Sequence, residues 1–305
     1  MINLGYACIN SILSGLPKSR RITTNRSMIK RTFKAKGIKY ASELALANVR
    51  DLKKIIQWNE EHNIKFYRFS SDIFPWASEY ELEELPDLEK IAQTMEAAGD
   101  LANKYGQRLT THPGPFNKLA SPKERVVLAT IKDLEVHGKM MDLLKQPRSP
   151  RAKINIHVGA AYGDKPMALG NFNRNFERLS DAVKTRLTVE NDDKKSLYST
   201  KELYEEVYRQ IGTPIVHDLH HHKFCDGNLG AKDALALAIK TWGEVKPVVH
   251  YSQSRCVEHN DNKIRENAHS DSYWEPVNTY GFDVDVMLEA KFKEQALFKM
   301  RELLT

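Results

Sequence analysis

The sequence predicts a single-domain (β/α)₈ barrel spanning residues 1–305, and three observations carry that prediction. Eight short β-rich runs alternate with longer helical stretches, the pattern of a parallel sheet. Eight such units in a chain of 305 residues match the size of a closed barrel. The main rival, an open doubly wound sheet, lacks its signature. LGYACINS after the first run holds one glycine, and no phosphate-binding P-loop occurs.

Each element is read in order. INLGY (2–6) is short and apolar and predicts the first strand. Residues 41–62 place Leu44, Val49, Leu52, Ile55 and Ile56 at helical spacing. KFYRF (65–69) predicts a strand, 87–104 a helix, RLTT (108–111) a strand and 122–144 a helix. QPRSPRAK (146–153) reads as a connecting loop. INIH (154–157) and a helix over 166–184 follow, then RLTVE (186–190) with a helix over 200–211. PIVHD (214–218) precedes a helix over 231–242. PVVHY (247–251) is the seventh strand, followed by a long polar loop over about 252–281. VDVMLE (284–289) and a closing helix, AKFKEQALFKMREL, complete the eight units.

Composition is that of an ordinary folded protein: 41% hydrophobic and 28% charged residues. Mean hydropathy is −0.54, and no run of about 18 apolar residues occurs, which argues against a membrane partner. The apolar start lacks a preceding basic stretch and reads as a strand, not a signal peptide. Cys8, Cys225 and Cys256 are odd in number and widely spaced. They suggest a reducing compartment, hence a cytoplasmic setting, with a nuclear or viral-host setting as the alternative. The net charge of +6 is unevenly placed. The first 42 residues carry nine Lys/Arg and no Asp/Glu, leaving 37 bases against 40 acids in the rest. Such a cluster suits a phosphate backbone, although any basic run is as readily a solvated loop.

The polar residues sit at strand ends. Asp72 lies beyond strand 2, His112 follows strand 3, His157 ends strand 4 and Glu190 ends strand 5. Asp218 ends strand 6 with His220, His221 and His222 just after; His250 ends strand 7 and Glu289 ends strand 8. In a barrel these ends converge on one face, where active sites form. Taken alone, each reads more readily as a hydrogen-bonded structural residue, and Glu190 or Asp218 as a helix cap. The recurrence at corresponding positions carries the argument. His62, His137 and His259 fall in helix or polar-loop contexts and read as structural. His217 should face away from Asp218.

So many carboxylates and imidazoles in one cup require a counter-charge, and divalent ions supply it. Imidazole and carboxylate donors without cysteine fit Zn²⁺ or Mn²⁺, and their number exceeds the needs of one ion. Two ions about 3.5–4 Å apart suit in-line phosphoryl displacement.

Specific motifs run through nearly the whole chain. They include TTNR (23–26), YRFSSDIFPW (67–76), THPGPF (111–116), IHVGAAYG (156–163), TVENDD (188–193), HDLHHH (217–222), VHYSQ (249–253), AHSD (268–271) and VMLEAKFKEQAL (286–297). In this order they resemble the UV damage endonucleases, metal-dependent DNA repair enzymes related in fold to endonuclease IV-type apurinic endonucleases. The resemblance implies metal ligands at His112, His157, Glu190, Asp218, His221, His250, His269 and Glu289. Asp72 matches a position held by His or Asp in relatives. His269 is assigned by the resemblance alone. Two or three Mn²⁺ ions are implied, with Zn²⁺, Co²⁺ or Mg²⁺ as substitutes, and catalytic roles for Glu190, Glu289 and Asp218.

The implied partner is damaged double-stranded DNA, nicked immediately 5′ to cyclobutane pyrimidine dimers, 6-4 photoproducts and abasic sites. The enzyme is expected to be a monomer with no obligate protein partner. Tyr6 and Asn10 match lesion-pocket positions. Pro115 and Phe116 match a probe inserted into the duplex, where relatives carry Gln-Tyr. Arg20, Arg21 and Arg26 are the expected phosphate contacts. A second departure concerns strand 7. Relatives often carry, two residues before the histidine, a lysine whose carboxylated form can bridge metals. Here that position is Val248, and Lys246 lies about 13 Å down the strand at about 3.3 Å per residue. Apurinic endonucleases and sugar isomerases share the barrel class and are the alternatives, as is a DNA-binding module without catalysis.

Overall fold

Eight parallel strands run in the order β3-β2-β1-β8-β7-β6-β5-β4 in a computed structural model that describes residues 2–305. They are β1 (Leu4–Cys8), β2 (Phe66–Phe69), β3 (Arg108–Thr110), β4 (Ile154–His157), β5 (Leu187–Glu190), β6 (Ile215–Asp218), β7 (Val248–Tyr251) and β8 (Asp285–Leu288). The two ends of that order meet. Thr111 bridges Ile154 in parallel, with the Thr111 N–H donating to Lys153 O and the Asn155 N–H to Thr111 O. The sheet therefore closes on itself as the predicted barrel.

Side-chain alternation sorts each strand into an inward and an outward set. Ala7, Phe66, Val216, Trp242, Val248 and Met287 form one buried cluster inside the barrel. Gly5 makes room for it, because a Cβ there would stand 2.7 Å from the Phe66 ring. Outward residues pack under the helices. Helix Leu88–Lys104 buries Ile91, Met95, Ala98 and Ala102, spaced by three and four residues as an amphipathic stripe requires.

The element boundaries differ in three instructive places. The first strand is shifted to Leu4–Cys8. The helix expected from residue 41 begins at Lys30 and breaks at Gly37 (φ 65°, ψ −165°), a backbone that favours glycine. Residues 30–39 hold only Phe33 and Ile38 as large apolar residues, both packed on the core, too few for periodicity to reveal the helix. About half of the early basic cluster is therefore helical, not loop. The expected helix over 166–184 is two, Lys165–Phe176 and Asp181–Lys184. At the break, Glu135 accepts from the Ser180 N–H (2.8 Å) and Oγ (2.5 Å), holding the residue that precedes the second helix. All three cysteines are free, and no described helix is long and apolar enough to cross a membrane.

Candidate metal centre

The inward positions at the carboxyl ends of six neighbouring strands carry His112, His157, Glu190, Asp218, His250 and Glu289, with His221 one turn beyond β6. They form three overlapping triads, each offering donor atoms within 4.8 Å of one another. These are His112–His157–Glu190, Glu190–Asp218–His221 and Asp218–His250–Glu289. Glu190 and Asp218 each belong to two triads. Above them opens a cavity of about 420 Å³ whose wall includes Arg68, Lys118, Asp192 and Glu289.

Local structure orients each donor. The Asn191 side chain accepts from the Asp218 N–H (2.7 Å) and donates to its carbonyl (3.1 Å), clamping the ends of β5 and β6 together. Asp218 Oδ1 accepts from the N–H groups of His220 (2.7 Å) and His221 (2.8 Å). Its Oδ2 is buried without a hydrogen-bond partner. Glu190 Oε2 lies 3.2 Å from His112 Nε2, 3.1 Å from His250 Nδ1 and 3.7 Å from His157 Nε2. His250 Nδ1 also lies 3.2 Å from Glu289, yet it is aligned for a hydrogen bond with neither carboxylate. Converging donors of this kind, with an orphaned carboxylate oxygen among them, fit divalent ions.

The electrostatics agree. Burial would raise the Glu190 carboxyl, but His250, His157 and His112 hold it well below the usual range. Glu289 is likewise held down against burial, chiefly by Arg68 and His250. Burial lowers His112 to about 4. For His157 burial works downward too, but Glu190 and Asp192, the latter 3.2 Å from Nδ1, lift it to about 10. A proton on His157 thus joins the Arg68 guanidinium as positive charge facing the carboxylates of the cup.

Several expected residues lie elsewhere. Asp72 is exposed, belongs to none of the triads and faces a neighbouring groove. The chain turns after β2, and Ser70, not Asp72, ends the strand's inward row. His269 is outside the triads. Its Nδ1 faces the Glu289 carbonyl (3.1 Å) and its ring lies 5.7 Å from His221, at the edge of the cup. Tyr6 and Asn10 are buried and offer no surface to a base. Gly5 and Ala7 point inward, so Tyr6 points outward and donates to Asn59 (2.8 Å), while Asn10 caps the short helix Ser11–Ser14. Arg26 is ion-paired with Asp51 (2.5 Å) and donates to backbone carbonyls. Arg20 and Arg21 are exposed. Pro115 stands at the cavity wall, and Phe116 is 88% exposed at the tip of its loop. His217 faces away, donating to or accepting from Thr200 (2.8 Å).

The cup also contains residues that strand-end reasoning missed. Arg68 pairs with Glu289. Asn155 donates to Glu190 and accepts from Thr188. Lys153 is fully buried, with Nζ 3.1 Å from His250 Nε2. Burial, then Arg68, lowers its amine to about 7. A buried lysine therefore reaches the β7 histidine from the residue before β4, while position 248 of β7 itself is valine. Asn155 is two residues from His157 on the same face, a parity signal that could have found it.

Fold and site together define a barrel protein whose His and carboxylate side chains gather in groups that could hold divalent ions. Comparison narrows this class. The family UV-endonuclease UvdE matches residues 2–305, and the chain belongs to that family. It is 36% identical to the UV-damage endonuclease of Schizosaccharomyces pombe over 97% of this chain and 50% of that protein. It is 31% identical to the UV DNA damage endonuclease of Clostridium perfringens over 98% and 69%, respectively. The chain spans about half the length of the fungal relatives it matches. The crystal structure of SacUVDE superposes with a TM-score of 0.84 at 27% identity, covering 100% of this chain and 98% of that one. Endonuclease IV from Thermus thermophilus (TM-score 0.56, 12% identity, 99% and 98% covered) shares the fold alone.

Proposed function

We propose that this chain is a metal-dependent endonuclease that hydrolyses the phosphodiester immediately 5′ to UV photoproducts, cyclobutane dimers and 6-4 products, and to abasic sites. The observation that carries the reading is the set of three overlapping ligand triads at the mouth of the barrel. Family membership selects DNA as the substrate. Bound divalent ions, with Mn²⁺ foremost, supply Lewis acidity and charge neutralisation at phosphorus.

The protein's own groups do the rest. Glu190 and Asp218, shared between triads, are the carboxylates able to serve neighbouring ions. Glu289 is the one of the three carboxylates that lines the open cavity, so it is placed to accept a proton from the attacking water. Arg68 holds that carboxylate in position. Lys118 lines the same cavity and faces the charge of a phosphate there. Departure of the 3′ oxygen leaves a 3′-hydroxyl and a 5′-phosphate. Phe116, standing free on the loop after β3, wedges into the duplex where a lesion has weakened stacking.

Nicking of irradiated, abasic and intact plasmid tests the reading. Irradiated DNA should be nicked with Mn²⁺, not after EDTA, and again after Mn²⁺ is restored. Cleavage of abasic DNA alone would favour an apurinic endonuclease; retention of damaged DNA without a new 3′-hydroxyl would favour a binding module. A sugar isomerase rests on fold likeness alone, as in a D-psicose 3-epimerase at 12% identity and TM-score 0.56.

A further inference from the structure

Beneath the converging donors, the inner wall of the barrel carries a second layer of polar side chains. Strand alternation puts Arg68 of β2 on that wall, together with Asn155 of β4 and Lys153 just before it. Each of the three meets one residue of the cup that belongs to another strand. Arg68 pairs with Glu289. Asn155 donates to Glu190. Lys153 Nζ lies 3.1 Å from His250 Nε2.

The first two contacts are a cation and an amide on carboxylates. The third is unusual. Lys153 is fully buried, and among the described residues its amine has no carboxylate partner. Lysine is almost never fully buried without an ion pair, so this one requires a reason. Its reach is also long. In the sheet β5 and β6 stand between β4 and β7, so the stem crosses the barrel interior to meet an imidazole.

The ring of His250 divides its two nitrogens between the layers. Nδ1 faces the cup, 3.1 Å from Glu190 and 3.2 Å from Glu289. Nε2 faces Lys153. The ring is fully buried, so water supplies neither nitrogen with a partner. An imidazole that ligates through Nδ1 keeps its hydrogen on Nε2, and that hydrogen needs an acceptor. In most metal sites a carboxylate or a backbone carbonyl takes this place. Here, among the described residues, the lysine nitrogen stands there, and an amine lone pair accepts a hydrogen bond.

We propose that Lys153 is the positioning residue of His250, accepting the Nε2 hydrogen and so holding Nδ1 toward a divalent ion in the cup. The proposal rests on the reading of the cup as a metal centre. Two measurements on the full chain test it. In the first, ¹⁵N-histidine spectra of the Zn²⁺-loaded chain report which nitrogen of His250 carries hydrogen, with His250→Gln identifying the signal. Hydrogen on Nε2 is expected. Hydrogen on Nδ1 would overturn the proposal, and this result needs no variant of Lys153 to fold. In the second, Mn²⁺ titrations compare variants whose folding is checked by thermal melting. Lys153→Met removes the acceptor and should weaken Mn²⁺ binding about tenfold. Lys153→Arg, which donates but cannot accept, should lose as much. Unchanged binding by either folded variant would overturn the proposal. Saturating Mn²⁺ should return the nicking rate of Lys153→Met to that of the unsubstituted chain, because Lys153 acts on the ring and not on the reacting atoms. A rate that stays low would overturn the positioning role. Failure of the unsubstituted chain to bind Mn²⁺ or Zn²⁺ would overturn the metal-centre reading and this proposal with it.

Discussion

Loading the cup with Mn²⁺ at pH 8 should release about one proton per protein. His157 is the source, since Glu190 and Asp192 lift it to about 10. At pH 8 it is almost fully protonated, and an imidazole must be neutral to ligate. The competition amounts to two pH units, or about 2.7 kcal/mol of apparent binding energy at about 1.36 kcal/mol per unit. Apparent affinity should therefore rise about tenfold per pH unit until pH approaches about 10. Glu190 and Glu289 are already ionised and His112, lowered to about 4, is already neutral, so none of these contributes. His221, raised by Asp218 and Glu190 against burial, works in the same direction. Calorimetric titration in buffers of different ionisation enthalpy counts the protons directly. Asp192→Asn should lower the count and tighten binding at this pH. A slope of zero against buffer ionisation enthalpy at pH 8 would refute the argument. The same linkage has a sign for the metal-free fold. A raised histidine contributes stability fully below about pH 6.5, and that contribution is lost as pH rises through about 10.

Three further outcomes follow from the geometry. Asp72→Asn should leave Mn²⁺ stoichiometry unchanged by metal analysis, whereas Glu190→Gln, which touches two triads, should remove at least one ion. Replacing exposed Arg20 and Arg21 by Ser should reduce the salt slope of DNA binding by about 0.9 per released contact; Arg26→Ala should instead lower thermal stability, because Arg26 is paired with Asp51. Phe116→Ala should weaken binding to a dimer-containing duplex about tenfold, in line with about 1–3 kcal/mol per stacked base, and leave intact duplex nearly unaffected in the same assay.

The sequence made the barrel legible because strand runs and amphipathic helices have different periods, and both survive in a single chain. The gathering of six strand-end His and carboxylate residues was legible for the same reason, since alternation puts His157, Glu190, Asp218, His250 and their neighbours on the inner face. Asp72 lies outside the triads because the parity rule holds only while the strand continues, and the chain turns at Ser70 and Ser71. Tyr6 has the outward parity of β1, which motif matching alone does not weigh. Lys153 was out of reach. It sits at the floor of the barrel in sequence terms, and only its long stem brings Nζ to His250. Arg26 showed its charge but not its partner, since Asp51 is 25 residues away.

Barrel closure gives the cup a mechanical side. Between β3 and β4 the sheet is joined by one isolated bridge, Thr111 to Ile154, where its other joints are ladders. His112 and His157 stand on the two sides of that thin joint, with rings 5.6 Å apart, and share Glu190 with it. An ion held by this triad would be a clasp across the seam of the hoop, tying His112 on one side to His157 on the other.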